Sequence, residues 1–199
     1  MPLPLVAGPA ALPHPLDRWL PRYQFVEHHA TTVRTDARHC LDLAQAVDPA
    51  DDPWIQAAMA LREAPGRLLE RLGLRGALSQ RPRFGLADFT PLGRDGDRSL
   101  SYGLIGQFWR ADYGLRPQAS ASDWAAFAEP GVVKLALSFH TETLNADATR
   151  LFTTTRVHCP DTDSRRHFAP YWWLIRPVSG LIRRRLLARV RKAAEPLGR

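Results

Sequence analysis

The sequence has few cysteines and no long apolar run. Cys40 and Cys159 are far apart and belong to no CxxC motif, so no disulfide framework is indicated. This usage favours a reducing compartment with two buried, inert thiols, and one long-range disulfide between them is the alternative. No stretch of about 18 consecutive apolar residues occurs, which argues against a membrane-spanning helix.

The N-terminal stretch lacks the features of a secretory signal. It has no basic start, and any helical apolar region would be interrupted by Pro2, Pro4, Pro9 and Pro13. We expect residues 1–20 to form an extended arm and residues 21–196 to form a single domain. Because no sorting signal is recognised, the expected location is cytoplasmic.

Acidic residues are nearly absent from the C-terminal end of the chain. Residues 165–199 contain ten Lys/Arg and one acid, Glu195, whereas the rest contains seventeen basic and nineteen acidic residues. The basic character therefore belongs to one segment. A nucleic-acid-binding protein more often spreads its charge over a whole surface, so nucleic acid is not the favoured partner.

The same segment has the periodicity of a long amphipathic helix. Its apolar stripe consists of Phe168, Trp172, Ile175, Ile182, Leu186 and Val190. We predict a helix from about Thr162 to Ala194 that packs this stripe on a sheet. Trp173 falls outside the stripe, while Pro170 and Pro177 predict either a kink or a later start.

The rest of the chain predicts strands around two further helices. Strands are predicted at Tyr23–Val33, Arg83–Thr90, Ser99–Arg110, Val132–Thr143 and Thr149–His158, with turns at 93–97 and 145–147. Helices are predicted at 37–47 and 54–72, while residues 112–130 are predicted to be either irregular or to carry a short helix near 124–127. This order predicts an α+β fold with helices gathered against one face of an antiparallel sheet.

Four segments carry a resemblance to a known superfamily: FVEHHATTV, YGLIGQFWR, VKLALSFHTETLNADATRLFTTTRV and RRHFAPYWWLIRPVSGLIRRRLL. With the order of elements, they make residues 20–195 resemble a bacterial branch of the START-related, birch-pollen-allergen-like (SRPBCC) superfamily. The resemblance implies a helix-grip fold, in which a bent antiparallel sheet has two short helices after its first strand and a long C-terminal helix on its concave face. It also implies a cavity for a hydrophobic or amphipathic small molecule, lipid-like or polycyclic. Some members are cyclases or hydrolases, but no catalytic residue transfers by motif.

The register of the last hairpin decides which residues face the terminal helix. If its loop centres between Ala146 and Asp147, His140 lies opposite Thr153. The more apolar face, which we assign to the cavity and the helix, then carries Leu135, Leu137, Phe139, Phe152, Thr154 and Arg156. A shift by one residue would reverse this assignment.

We predict a protein that binds a hydrophobic small molecule and is not an enzyme. The predicted ligand-contacting residues are Tyr102, Phe108, Leu137, Phe139, Phe152, Arg156 and Trp172. Two interpretations of Arg156 are open, because it would either hold an anionic group of the ligand or pair with an acid at the rim.

Catalytic and metal-binding patterns are weak. His140 with Glu142 on one strand face is the candidate general-base pair, and it would make the protein an enzyme of the cyclase or hydrolase kind. Glu27 and His29 share a strand face and could form a metal centre with His140 or His158, but their spacing does not demand one. We therefore predict no metal and no cofactor.

The arginines of the terminal helix leave three interpretations open. Arg183, Arg184, Arg185 and Arg189 belong to a solvated face, to a surface that meets an anionic membrane, or to a nucleic-acid site. Neighbouring tryptophans favour the membrane over nucleic acid. The same apolar stripe, however, cannot pack on the sheet and insert into a membrane at the same time.

Overall fold

The protein has an α+β fold built on an antiparallel sheet. The computed structural model describes residues 13–47, 52, 88–110 and 112–195. In this part the strands are β1 (Phe25–Val33), β2 (Thr90–Asp95), β3 (Ser99–Gly106), β4 (Val133–Asn145) and β5 (Ala148–His158), in the spatial order β1-β5-β4-β3-β2. The helices are α1 (Ala37–Ala46), α2 (Ala121–Ala126) and α3 (Thr162–Ala194). The predicted fold class is thus confirmed, with a long C-terminal helix on the sheet.

Helix α3 begins where the sequence predicts. Asp161 caps it, because its Oδ1 accepts a hydrogen bond of 2.7 Å from the Ser164 backbone N–H. The helix continues through Pro170 and Pro177, so the alternative of a later start is wrong. The predicted stripe faces the protein: its buried members are Phe168, Trp172, Leu186 and Val190, while Ile175 and Ile182 are half-buried.

Both faces of the sheet are covered. We call the face under α3 the inner face and the opposite one the outer face. The inner core contains Leu100, Leu104, Leu137, Phe139, Leu151 and Val157 from the sheet, with α1 and α3 packed against them. The outer core contains Leu16, Leu20, Leu92, Ile105, Trp124, Val132 and Ala136. Helices α1 and α3 share the inner face, as predicted, whereas the short helix α2 lies on the outer face.

The N-terminal segment also packs on the outer face. Residues 15–17 form a 3₁₀ turn, in which the Leu16 backbone N–H donates to His14 Nδ1 at 3.1 Å. Leu16 and Leu20 are buried in the outer core. Residues 13–20 are thus folded onto the sheet rather than extended as an arm, because two leucines four residues apart anchor them. The rest of the predicted arm lies outside the described residues.

The region before β3 differs from the prediction. The second predicted helix at 54–72 lies outside the described residues, as do residues 83–87 of the predicted strand. β2 runs to Asp95, so the turn is shorter than the predicted 93–97. A bulge lies between Pro91 and Gly93, and Gly93 has a φ of 132°, which glycine tolerates because it has no Cβ.

The β4–β5 pairing is shifted by one residue from the predicted register. The tip pair Asn145–Ala148 is the predicted one, but a bulge follows between Thr143 and Asn145. As a result His140 lies opposite Phe152 and not Thr153. Leu135, Leu137 and Phe139 face α3 as predicted, whereas the outer face receives Phe152, Thr154 and Arg156.

Candidate functional site

A row of polar side chains interrupts the apolar inner face between β1 and α3. Glu27 and His29 alternate onto this face, and Thr155 and Thr153 lie directly opposite them on β5. His29 Nε2 donates to Glu27 Oε1 at 2.9 Å, which confirms that these two residues share a strand face. We call Glu27, His29, Thr153 and Thr155 the Glu27 row. Glu27 and both threonines are buried.

Helix α3 crosses this row at a glycine. A Cβ on Gly180 would lie 3.0 Å from Glu27 Oε1, which is closer than an ordinary van der Waals contact. It would lie 3.5 Å from His29 Cε1. The missing side chain therefore lets the helix backbone lie close to the carboxylate. One turn later Arg183 Nη1 donates to Thr153 Oγ1 at 3.3 Å, so α3 closes the row from above.

Two oxygen atoms of the Glu27 row are buried without a hydrogen-bond partner among the described residues. They are Glu27 Oε2 and Thr155 Oγ1, which come from directly opposed residues of neighbouring strands. Leaving such an atom unpaired costs about 1–3 kcal/mol, so water or a ligand usually supplies the missing partner. The carboxylate can only accept a hydrogen bond, whereas the hydroxyl can donate or accept.

Five of the seven predicted ligand residues lie on the inner side. Leu137 and Phe139 belong to one core cluster, and Tyr102, the cross-strand partner of Leu137, packs against it. Phe108 and Trp172 belong to the neighbouring cluster under the first half of α3. The prediction did not include Thr155, Thr153 or Gly180. The two threonines are polar side chains on a buried strand, which composition alone does not distinguish from an exposed strand, and Gly180 is a single glycine in the middle of α3.

The other two predicted ligand residues, Phe152 and Arg156, lie on the outer face because of the register shift. Arg156 Nη1 donates to Asp17 Oδ1 at 2.7 Å and to the Leu20 carbonyl at 3.3 Å. Its guanidinium carbon lies 4.4 Å from the ring centre of Tyr23. The assignment of Arg156 to the cavity is therefore wrong, and its pairing with an acid is the interpretation that the structure supports. The hydrogen bond from Arg156 lowers the pKa of the Asp17 carboxyl.

Three histidines cluster beside Arg156. His28 Nδ1 and His14 Nε2 lie 2.9 Å and 3.3 Å from Thr154 Oγ1. His140 stacks on Phe152 with ring centres 4.8 Å apart and meets the His14 ring edge-on at the same distance. Burial is the main cause that lowers the pKa of both His14 and His140 to about 4, so both rings are neutral at pH 7.

The two halves of the predicted general-base pair share this outer face. His140 is half-buried in the histidine cluster, while Glu142 is exposed and lies opposite Arg150. Neither side chain points toward α3. The same geometry separates His140 from Glu27 and His29, which lie on the inner face. In the part of the chain that the structure describes, no group of three or more His, Cys, Asp or Glu side chains could hold a metal ion.

Three of the cavities lined by described residues lie away from the space between the middle of α3 and the sheet. A cavity of about 480 Å³ lies on the outer side, between the N-terminal turn and the β2–β3 hairpin. One of about 380 Å³ lies at the N-terminal end of α3, beside Trp109 and His167. The third, of about 290 Å³, lies near Phe127 and His158.

The two cysteines are free and buried, as the prediction of inert thiols requires. Burial raises the pKa of Cys40 to about 11 and that of Cys159 to about 12. Since the thiolate is the reactive form, neither group is an effective nucleophile near neutral pH. The alternative of a disulfide between them is wrong.

The four arginines proposed for a membrane surface do not share one side of α3. Arg183 points inward to Thr153, and Arg185 Nε donates to Asp52 Oδ2 at 3.1 Å. Arg189 is half-buried, whereas Arg184 is exposed. Among the described residues, no helix is both long and apolar enough to cross a membrane.

The chain was compared with protein-family models, with curated proteins and with solved structures, and no match was found in any of the three.

Proposed function

We propose that this protein binds an amphipathic small molecule on the inner face of its sheet and does not catalyse a reaction. The observation that carries this proposal is the pair of unpartnered oxygens in the Glu27 row, Glu27 Oε2 and Thr155 Oγ1, within the described part of an otherwise apolar interface. A ligand that supplies hydrogen bonds to both atoms would remove the cost of their burial.

The chemistry of the row favours a particular polar group. Glu27 accepts hydrogen bonds and would repel a carboxylate, so the ligand is expected to carry a hydroxyl or an amine. Its apolar part would lie against the inner core near Leu137, Phe139 and Trp172. Burial of apolar surface contributes about 25 cal/mol per Å² of area removed from water, which suits a lipid-like or polycyclic body. Such a ligand is also what a member of the START-related superfamily would carry, and membership of that family is part of this proposal.

Native mass spectrometry of the purified full-length protein tests the proposal. We expect the wild-type spectrum to contain a species heavier than the polypeptide, which loses a small molecule on collisional activation. Thr155→Val removes the hydroxyl but keeps the shape, so this species should be reduced about tenfold or more, in line with the loss of one buried hydrogen bond.

Ser138→Ala is the matched control. Ser138 Oγ is also buried and has no hydrogen-bond partner among the described residues, but Ser138 lies opposite Thr154 on the outer face. This variant should retain the heavier species. Equal loss in the two variants would contradict a site on the inner face. A wild-type spectrum containing only the polypeptide, together with no rise in Tm on adding a long-chain alcohol, a long-chain amine or a sterol, would contradict ligand binding altogether.

A further inference from the structure

Helix α3 carries a second set of apolar side chains on the side that faces away from the sheet. Trp173, Leu174 and Leu181 are exposed to 64%, 67% and 43%, and Pro177 is exposed between them. At about 100° per residue, these four positions lie within about 100° of arc. We call them the outer stripe. None of them belongs to the stripe that packs on the sheet, so α3 can contact the sheet and a second apolar surface at once.

Exposed basic side chains lie mainly at the C-terminal end of the outer stripe. Arg184, Arg191 and Lys192 are exposed on the same side toward the end of α3, whereas Arg166 near its start forms an ion pair of 3.7 Å with Asp163. The guanidinium carbon of Arg176 lies 5.5 Å from the ring centre of Trp173. In total α3 contains nine Lys/Arg residues and one acid, Asp163. The surface therefore combines an aromatic and aliphatic centre with positive charge toward the C-terminal end of α3.

We propose that the outer stripe docks this protein on an anionic lipid bilayer, with α3 lying in the plane of the interface. Tryptophan is favoured at the level of the lipid headgroups, and leucine side chains insert into the boundary of the acyl region. Lys and Arg near the surface are attracted by anionic headgroups. This inference goes beyond the proposed ligand binding and uses none of the side chains of the Glu27 row.

Other partners fit this surface less well. Nucleic acids are bound mainly through phosphate contacts from Lys and Arg, which do not require exposed leucines at the centre of the contact. A second copy of the chain docked through the same stripe would offer one acid from its α3, Asp163, which already pairs with Arg166, so the remaining basic side chains would meet no complementary charge there. An anionic bilayer satisfies both the apolar centre and the basic C-terminal end.

Co-sedimentation of the full-length protein with vesicles tests this inference. One set of vesicles contains phosphatidylcholine alone, and in the other phosphatidylserine replaces part of it. We expect about tenfold or greater preference for the vesicles with phosphatidylserine at about 0.1 M salt, decreasing as salt is added. Trp173→Ala with Leu174→Ala should weaken binding to the anionic vesicles by about tenfold or more, because the side chains that enter the interface are lost.

Leu144→Ala is the matched control, since Leu144 is exposed to 51% at the tip of the β4–β5 hairpin, outside α3. This variant should bind vesicles like the wild type, and both variants should keep the wild-type Tm.

Equal wild-type binding to the two kinds of vesicle, or unchanged binding by the Trp173/Leu174 variant, would overturn the proposal. So would a wild-type dimer that this variant converts to a monomer, or retention of duplex DNA with no retention of vesicles. Native mass spectra of the Trp173/Leu174 variant should still contain the species heavier than the polypeptide. A failure of the membrane proposal can therefore be distinguished from a failure of the ligand-binding proposal.

Discussion

At the scale of single residues, Gly103 shows how one missing side chain positions an element. Gly103 lies on β3 with its outer side against the Trp124 indole, and a Cβ at this position would overlap atoms of that ring. Trp124 is fully buried in the outer core, and Lys134 Nζ lies 4.4 Å from its ring centre. The glycine therefore lets the indole pack directly on the strand backbone.

We expect Gly103→Ala to destabilise the protein by about 1–3 kcal/mol, because the new methyl group overpacks a filled site. The measurement is the free energy of unfolding from a urea titration. In a Trp124→Leu background the smaller side chain leaves room for the methyl group, so the same substitution should cost much less. An equal cost in both backgrounds would contradict the steric explanation.

At the scale of elements, the N-terminal turn is a structural part of the outer face. Its proline content predicts an extended conformation, and the polar residues around it give no periodic signal. Leu16 and Leu20 nevertheless reach the outer core, and Asp17 pairs with Arg156. An element of three residues is stabilised here by its tertiary contacts, which is the usual situation for helices too short to form alone.

Leu16→Ala is expected to lower the free energy of unfolding by about 2–4 kcal/mol, since a fully buried leucine side chain is replaced by a cavity. Leu144→Ala makes the same chemical change at an exposed position and should stay within about 0.5 kcal/mol of the wild type. Urea titrations of both variants provide the comparison. A loosely attached N-terminus would instead make the two variants indistinguishable.

At the scale of the whole molecule, the histidine cluster couples folding to pH. His14 and His140 have folded-state pKa values of about 4, below the ordinary value of 6.5. Burial also lowers the pKa of His28, and Arg156 and Asp17 are the charged groups next to the cluster. Between pH 6.5 and 4 the unfolded chain therefore binds protons that the folded chain does not. The contribution of these groups to stability is complete above pH 6.5 and is lost as the pH falls toward 4.

We expect the wild-type free energy of unfolding to fall as the pH is lowered from 6.5 to 4. His140→Gln removes one of the titrating groups, so its curve should be flatter in this window. After allowance for solvent screening, the difference between pH 6.5 and 4 should be smaller by about 1 kcal/mol. Guanidinium titrations at several pH values give the two curves, and parallel curves would show that His140 titrates alike in the folded and unfolded chains.

The sequence by itself determined the elements with a repeating pattern. Intervals of three and four residues predict the bounds of α3 and most of its buried stripe, and alternation predicts β4 and β5. The shared face of Glu27 and His29 was also predictable, because side chains two apart on a strand always point the same way. Each of these features depends on neighbours along the chain, which is why the pattern is readable without coordinates.

Only the tertiary structure decided how these elements meet. The bulge between Thr143 and Asn145 moved Arg156 to the face opposite α3, and no local pattern predicts a one-residue shift. The packing of Gly180 over Glu27 and the folding of Leu16 onto the sheet join residues distant in the chain. The same holds for the outer stripe of α3, because exposure depends on what covers a side chain and not on its own chemistry.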